Sequence, residues 1–278
     1  MNAEMISGST EAKFNKLKEI LRSMERVLVA FSGGVDSTFL LRVAQDVLKD
    51  DVLAVIASSE TYPEKQEEEA IQIADNLNVQ YRIIHTDELQ NPEFVKNPPQ
   101  RCYHCKKELF LELKKIASQE DIPYVIDGEN HEDKEDFRPG SKAAKELGVR
   151  SPLKEAALRK SEIRLLSKRL ALPTWDKPSM ACLASRFPYF KEIDRESLRQ
   201  VAQAEEFLQA QGFSQVRVRH HDQIARIEVR PDDFSRMIDE DMRNRVVENL
   251  KKMGYLYVSL DLAGYRTGSM NEPLSNEE

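Results

Sequence analysis

Apolar residues fall along this chain in two rhythms, short continuous runs and stripes spaced three to four residues apart. Thr10–Met24 sets Phe14, Leu17, Ile20, Leu21 and Met24 on one stripe, which predicts a helix. Arg26–Phe31 then packs Val27, Val29 and Phe31 around Leu28 and Ala30, the length and composition of a buried strand. The run breaks into Ser32-Gly33-Gly34, and from Asp36 helical spacing returns at Phe39, Leu40, Val43, Ala44 and Val47.

The alternation continues. Val52–Ala57 reads as a strand, Pro63–Leu77 as a helix with proline in its first turn, and Val79–His85 as a third strand. A proline-marked irregular stretch, Asn91–Gln100, opens into Cys102-Tyr103-His104-Cys105 and a helix over Lys106–Ala117. Pro123–Ile126 is a further buried strand that ends in Asp127-Gly128. Helices over Ser141–Leu147 and Ser161–Leu170 follow, the second stopped by Pro173. Strands alternating with helices predict an α/β fold built on a doubly wound parallel sheet. A ligand then sits outside the carboxyl ends of the strands. Ser32–Ser37, Ser58–Glu60, His85 and Asp127–Asn130 all fall at such ends.

Trp175–Phe190 reads as a loop, and the domain boundary is drawn there: residues 1–188 form the larger domain and 189–278 a smaller one. Asp194–Gln211 is a helix capped by Asp194 and ended by Gly212. Strand 215–220, a turn at His221–Gln223, strand 224–229, one helix or two helical pieces over 232–252 and strand 255–260 make a small α+β domain. Val216 and Val218 share one face of its first strand; Arg217 and Arg219 share the other, expected to face solvent. Two adjacent arginines form a fork for phosphate or carboxylate, or a solvated face balanced by acids such as Glu228.

Composition narrows the class. The 278 residues are 40% hydrophobic and 32% charged, a globular mixture, with frayed ends expected at 1–8 and 271–278. No apolar run approaches the roughly 18 residues of a membrane helix, and the first 25 residues lack the pattern of a signal peptide, so a cytoplasmic protein without a membrane partner is expected. A net charge of −7 argues against a large nucleic-acid footprint. Three cysteines argue against a disulfide framework and for metal or thiol chemistry.

Strand, glycine turn and helix together suit an anion: glycines allow close backbone approach, and amides at a helix N-terminus point at negative charge. A plain strand-to-helix turn is the alternative. The string SGGVDS has no lysine, which excludes the Walker-type loop, and it is not GxGxxG. Gly128–Pro139 is a loop dense in carboxylates, of which Asp127 just before it stands at the same sheet edge as the glycine turn. Cys102 and Cys105 form a CxxC and Cys182 lies far along the chain. Three readings stay open on spacing: a zinc site completed by a histidine such as His104, a redox dithiol, or a 4Fe–4S cluster with one open iron.

SGGVDS closely resembles the SGGxDS signature of the PP-loop ATP pyrophosphatases, which include the synthetase parts of GMP, NAD and asparagine synthetases and many RNA thiolases. That implies ATP cleaved between its α- and β-phosphates, with pyrophosphate held by Ser32, Gly33, Gly34, Asp36 and Ser37 and nucleotide contacts at Ser58, Asp127 and Gly128. It also implies Mg²⁺, for which Asp127 is the first ligand choice and Glu129 or Asp133 weaker ones. AFSGGVDST, VIDGENHEDKEDFRPG, SRFPYF, VRVRHHDQIARIE and VSLDLAGYRTGSMN further resemble the LarE family of sulfur transferases nearly end to end.

This second resemblance implies that the carboxylates of pyridinium-3,5-biscarboxylic acid mononucleotide are activated by ATP and become thiocarboxylates of the nickel-pincer nucleotide. It makes Cys182 the sulfur-bearing residue and puts Arg186 near the reacting carboxylate. Arg217, Arg219 and Arg266 become contacts to the substrate phosphate, and Glu205 and Glu228 weak Mg²⁺ positions. Single-cysteine members sacrifice that thiol and are left with dehydroalanine. Cys102 and Cys105 instead resemble three-cysteine members, in which a 4Fe–4S cluster on Cys102, Cys105 and Cys182 carries an added sulfide. A homo-oligomer, a hexamer, is also implied. The competing reading is a PP-loop tRNA thiolase with a 4Fe–4S cluster, which calls for a basic RNA-binding surface.

Overall fold

A computed structural model describes residues 7–132, 139–178, 181–266 and 268–274. Residues 133–138 of the carboxylate-rich loop, Asp133 among them, and the outermost ends expected to fray lie outside the described residues. Of the expected frayed end, residues 271–274 close a 3-10 helix, Ser269–Leu274.

The chain divides into two compact units. One comprises residues 1–87 and 100–180, the other 88–99 and 181–278. The second unit therefore begins before the boundary drawn at 188, and takes in a segment from the middle of the chain that no single cut can include.

In the first unit the elements run α1 (Gly8–Arg22), β1 (Val27–Ala30), α2 (Val35–Leu48), β2 (Val52–Ser58), α3 (Glu64–Asn76) and β3 (Gln80–His85). In the intervening segment α4 is Pro92–Val95. The first unit resumes with α5 (Arg101–Gln119), β4 (Tyr124–Ile126), α6 (Pro139–Glu146), α7 (Pro152–Glu155) and α8 (Lys160–Arg169). Its four strands pair in parallel in the order β3-β2-β1-β4. β1 is central and buries both faces, which is why VLVA shows no polar alternation. Val27 and Val29 join a core with Phe14, Leu17, Phe39 and Leu40, while Leu28 on the opposite side joins Phe110, Leu113 and Val125. Helices thus cover both faces, the expected α/β architecture. The order reverses at β1, since β2 lies on one side of it and β4 on the other. Such a switch opens a crevice at the carboxyl ends of the two strands.

The second unit holds α9 (Arg195–Ala210), β5 (Val216–His221), β6 (Ile224–Val229), α10 (Phe234–Ile238), α11 (Glu240–Lys252) and β7 (Tyr257–Leu260). β5 and β6 form an antiparallel hairpin, and β7 adds to β6 in parallel. Val216, Val218, Ala225, Ile227 and Val229 meet Ala204, Leu208, Val246 and Leu250 in its core. Arg217 and Arg219 do not face solvent: they are 9% and 8% exposed. Asn97 is fully buried in this unit, where its side-chain amide donates to the carbonyls of Phe187 (3.3 Å) and Pro188 (2.7 Å). That contact explains why 88–99 belongs here.

Candidate functional site

The turn after β1 is shaped by two glycines. Gly33 has φ +65°, in the left-handed region, and a Cβ on it would lie 3.0 Å from Cβ of Ala70 in α3. Gly34 caps α2 with no side-chain hydrogen bond to the helix amides. The first-turn amides of a helix have no acceptor within it, so this end is left for an anion. The Ser32 and Ser37 hydroxyls lie 3.1 Å apart, and Ser37 Oγ donates to the Gly34 carbonyl at 3.3 Å. At the switch, Gly128 after β4 approaches so closely that a Cβ would meet Ser37 N at 3.0 Å and Ser37 Cα at 3.2 Å. Ser58 ends β2, its carbonyl accepting from the Thr86 amide at 3.0 Å. The structure brings Ser32–Ser37, Ser58, Asp127 and Gly128 to one edge of the sheet; His85 lies on the outer strand β3.

Two lysines reach this lysine-free turn from far along the chain. Lys160 Nζ is 2.5 Å from Asp36 Oδ2. Lys177 Nζ donates to the Gly33 carbonyl at 3.1 Å and to Glu69 Oε2 at 2.7 Å. Neither was singled out from the sequence, because no local pattern marks a lysine whose role depends on a contact 124 or 144 residues away. The other carboxylate oxygen of Asp36, Oδ1, is buried without a hydrogen-bond partner, as is Thr38 Oγ1.

Asp127 Oδ1 accepts from Ser151 Oγ (2.7 Å) and from the Glu129 amide (3.2 Å). Burial pushes its carboxyl above the usual range, and the Ser151 hydrogen bond only partly offsets that. A desolvated carboxylate at a phosphate-facing edge fits one ligand of a nucleotide's Mg²⁺, because a nearby cation relieves the cost of its charge. Glu129 is otherwise engaged, with Lys154 at 2.8 Å and the Ser141 hydroxyl at 2.5 Å.

Cys102 and Cys105 were expected just before a helix; they lie inside it, in the opening turns of α5, which begins at Arg101. Cys102 is exposed, Cys105 and Cys182 half-buried, and none is in a disulfide. Among the described residues no group of three His, Cys, Asp or Glu side chains forms a metal site.

In the second unit Cys182 precedes a 3-10 helix, Leu183–Arg186. Arg186, 3% exposed, is bound on every side. It makes a two-pronged pair with Glu205, 2.8 Å at each contact, and donates to the carbonyls of Ala181 (2.7 Å) and Cys182 (2.9 Å) and to Ser185 Oγ (2.8 Å). Burial disfavours its charge but Glu205 outweighs that, holding its pKa above the usual value. Arg186 thus fixes the backbone that carries the cysteine. Arg219 makes a second two-pronged pair, with Glu228 at 2.9 and 2.8 Å, and donates to the Ser185 carbonyl at 2.7 Å. Arg217 lies over the Tyr265 ring, 5.3 Å from its centroid. Burial, and then the charge of Arg186, hold its pKa below the ordinary value. Arg266 is on the surface, paired with Glu272 at 3.0 Å.

Glu205 and Glu228, expected as weak Mg²⁺ positions, are paired with Arg186 and Arg219 in this structure. Arg219, expected on the substrate phosphate, is likewise committed to Glu228.

A model of the NAD synthase family matches residues 11–100, which span α1 through β3 and the turn between β1 and α2. An uncharacterised protein of Synechocystis sp. is 42% identical over 95% of this chain and 99% of its own length. Pyridinium-3,5-bisthiocarboxylic acid mononucleotide synthase of Lactiplantibacillus plantarum is 39% identical over 93% of both chains. One subunit of a glutamine-hydrolysing GMP synthase from Archaeoglobus fulgidus is 25% identical over 57% of this chain and 56% of its own.

Proposed function

Because this chain belongs to the family of pyridinium-3,5-bisthiocarboxylic acid mononucleotide synthase, we propose that it is an ATP-dependent sulfur transferase acting on pyridinium-3,5-biscarboxylic acid mononucleotide, in nickel-pincer nucleotide biosynthesis. The match over 93% of both chains carries this reading. A substrate carboxylate attacks the α-phosphorus of ATP; the bond to the bridging oxygen breaks and pyrophosphate leaves. A sulfur nucleophile then adds to the acyl-adenylate and expels AMP, leaving a thiocarboxylate. Activation is needed because a carboxylate oxygen is a poor leaving group and AMP a good one.

The chain's own groups divide the work. Gly33, Gly34 and the first amides of α2 receive the departing pyrophosphate, with Ser32 and Ser37 as hydroxyl donors and Asp36 tied to Lys160 beside them. Asp127 would hold the Mg²⁺ that accompanies the nucleotide, which would offset the charge of the phosphates. By the family resemblance Arg217 takes the substrate's phosphate, which a guanidinium binds through charge-assisted hydrogen bonds. Cys182 bears sulfur, and Arg186 is its positioning residue through the carbonyls of Ala181 and Cys182. The family resemblance makes Cys102, Cys105 and Cys182, whose thiolates have the donor chemistry of a 4Fe–4S cluster, the residues that would hold one, and such a cluster would supply a carrier for sulfide. An RNA thiolase is the weaker reading, since the net charge of −7 offers little electrostatic attraction for RNA.

The test is product analysis with ATP, Mg²⁺ and the dicarboxylate mononucleotide. AMP and pyrophosphate form, and only when the carboxylate substrate is present. ADP and phosphate as products overturn the reading.

A further inference from the structure

The glycine turn has amides and hydroxyls for a triphosphate but no cation of its own. Helix α8 and the turn beyond it supply what is missing. Lys160 and Arg164 are four residues apart on α8 and so on one side of it. Lys160 goes directly to Asp36 in the first turn of α2. Arg164 donates to the carbonyls of Trp175 (2.9 Å) and Lys177 (2.7 Å), which fixes the backbone from which Lys177 extends. Lys177 is 16% exposed, and its ammonium ends against the Gly33 carbonyl and Glu69. Those two contacts use two of the three ammonium donors. A long, entropically costly side chain is thus led to the carbonyl of the one turn residue held in a left-handed conformation.

We propose that Lys177 is a phosphate-binding residue of the nucleotide site, held in place by Glu69 and the Gly33 carbonyl until a polyphosphate takes over its ammonium, with Lys160 as the second cation at the start of α2. The inference rests on the ATP reading given above and deepens it. Glu69 is the competitor for the ammonium: a carboxylate with one negative charge is replaced by a phosphate group with more. The exchange gains Coulomb energy and leaves Glu69, which is 38% exposed, in water.

The experiment is titration calorimetry of the full chain with inorganic pyrophosphate and, separately, with ATP and Mg²⁺. Lys177→Gln is expected to weaken both by about ten- to hundredfold, the range for one lost charge-assisted hydrogen bond. Glu69→Gln, which frees the ammonium, is expected to tighten pyrophosphate binding. Circular dichroism melts of both variants accompany the titrations. Unchanged binding by Lys177→Gln overturns the proposal and leaves the ATP reading standing. Equal weakening by both variants also overturns it, because the pair is then structural. If Lys177→Gln does not fold, the Glu69→Gln arm decides alone, tightening for the proposal and weakening or no change against it. Failure of the unsubstituted chain to bind either probe sinks the ATP reading and this inference with it.

Discussion

Two buried arginines of the second unit, Arg186 and Arg217, differ in how their charge is met. Arg186 is satisfied by Glu205 and three oxygen acceptors around the cysteine-bearing turn. Removing it strands Glu205 as a buried charge and releases two carbonyls, so Arg186→Ala is expected to destabilise the second unit by about 3–5 kcal/mol. Burial and the nearby charge of Arg186 disfavour the Arg217 charge, and the attraction of Glu205 only partly offsets them. Arg217→Ala is expected to leave the urea midpoint nearly unchanged while raising KM for the mononucleotide by about tenfold or more. The same variant acting on a dephosphorylated substrate should match the unsubstituted protein. Equal KM penalties on both substrates would make Arg217 structural.

Between elements, the telling contact is the end of β4 against the start of α2. A Cβ at position 128 would press on backbone, at 3.0 Å from Ser37 N, and backbone cannot swing aside as a side chain can. Gly128→Ala therefore has to push the first turn of α2 and its amides off their line. The expected result is a loss of about 1–3 kcal/mol in stability, typical of overpacking, together with weaker ATP binding. Gly8→Ala is the matched control, since nothing lies within 4 Å of a Cβ there. Native ATP affinity in Gly128→Ala would show that the approach of β4 does not shape the phosphate site. The same scale accounts for the cysteine pair: α5 starts at Arg101, so its opening turns carry Cys102 and Cys105 at helical spacing on one side.

At the scale of the whole molecule the three cysteines decide between two sulfur chemistries. If all three hold a cluster, single replacement of Cys102, Cys105 or Cys182 by alanine removes bound iron and its visible absorption. Turnover with added sulfide then continues past one sulfur per chain, and intact-mass measurement finds Cys182 unchanged. If Cys182 is sacrificed instead, only Cys182→Ala abolishes the single turnover, and the used protein is lighter by the mass of H₂S. Dehydroalanine at 182 after turnover of iron-loaded protein would exclude the cluster as the sulfur carrier. No helix among the described residues is long and apolar enough to cross a membrane.

The sequence by itself determined the elements, the parallel α/β class and the anion-binding turn. These follow from apolar spacing and from glycine, whose effects act within a few residues of chain. It also carried the family resemblance, since strings such as SGGVDST and SRFPYF are local. Tertiary structure decided what depends on distant partners. Strand order put β4 beside β1 and set the reversal there, which no periodicity encodes. Arg217 and Arg219, alternating with valines, read as a solvated face, yet the chain around them buries that face too. Glu205 and Glu228 meet Arg186 and Arg219, partners that lie outside their local sequence. Lys160 and Lys177 reach the turn only by crossing 124 and 144 residues of chain. A charge's role is set by which opposite charge it meets in low dielectric, and that meeting is a property of the fold.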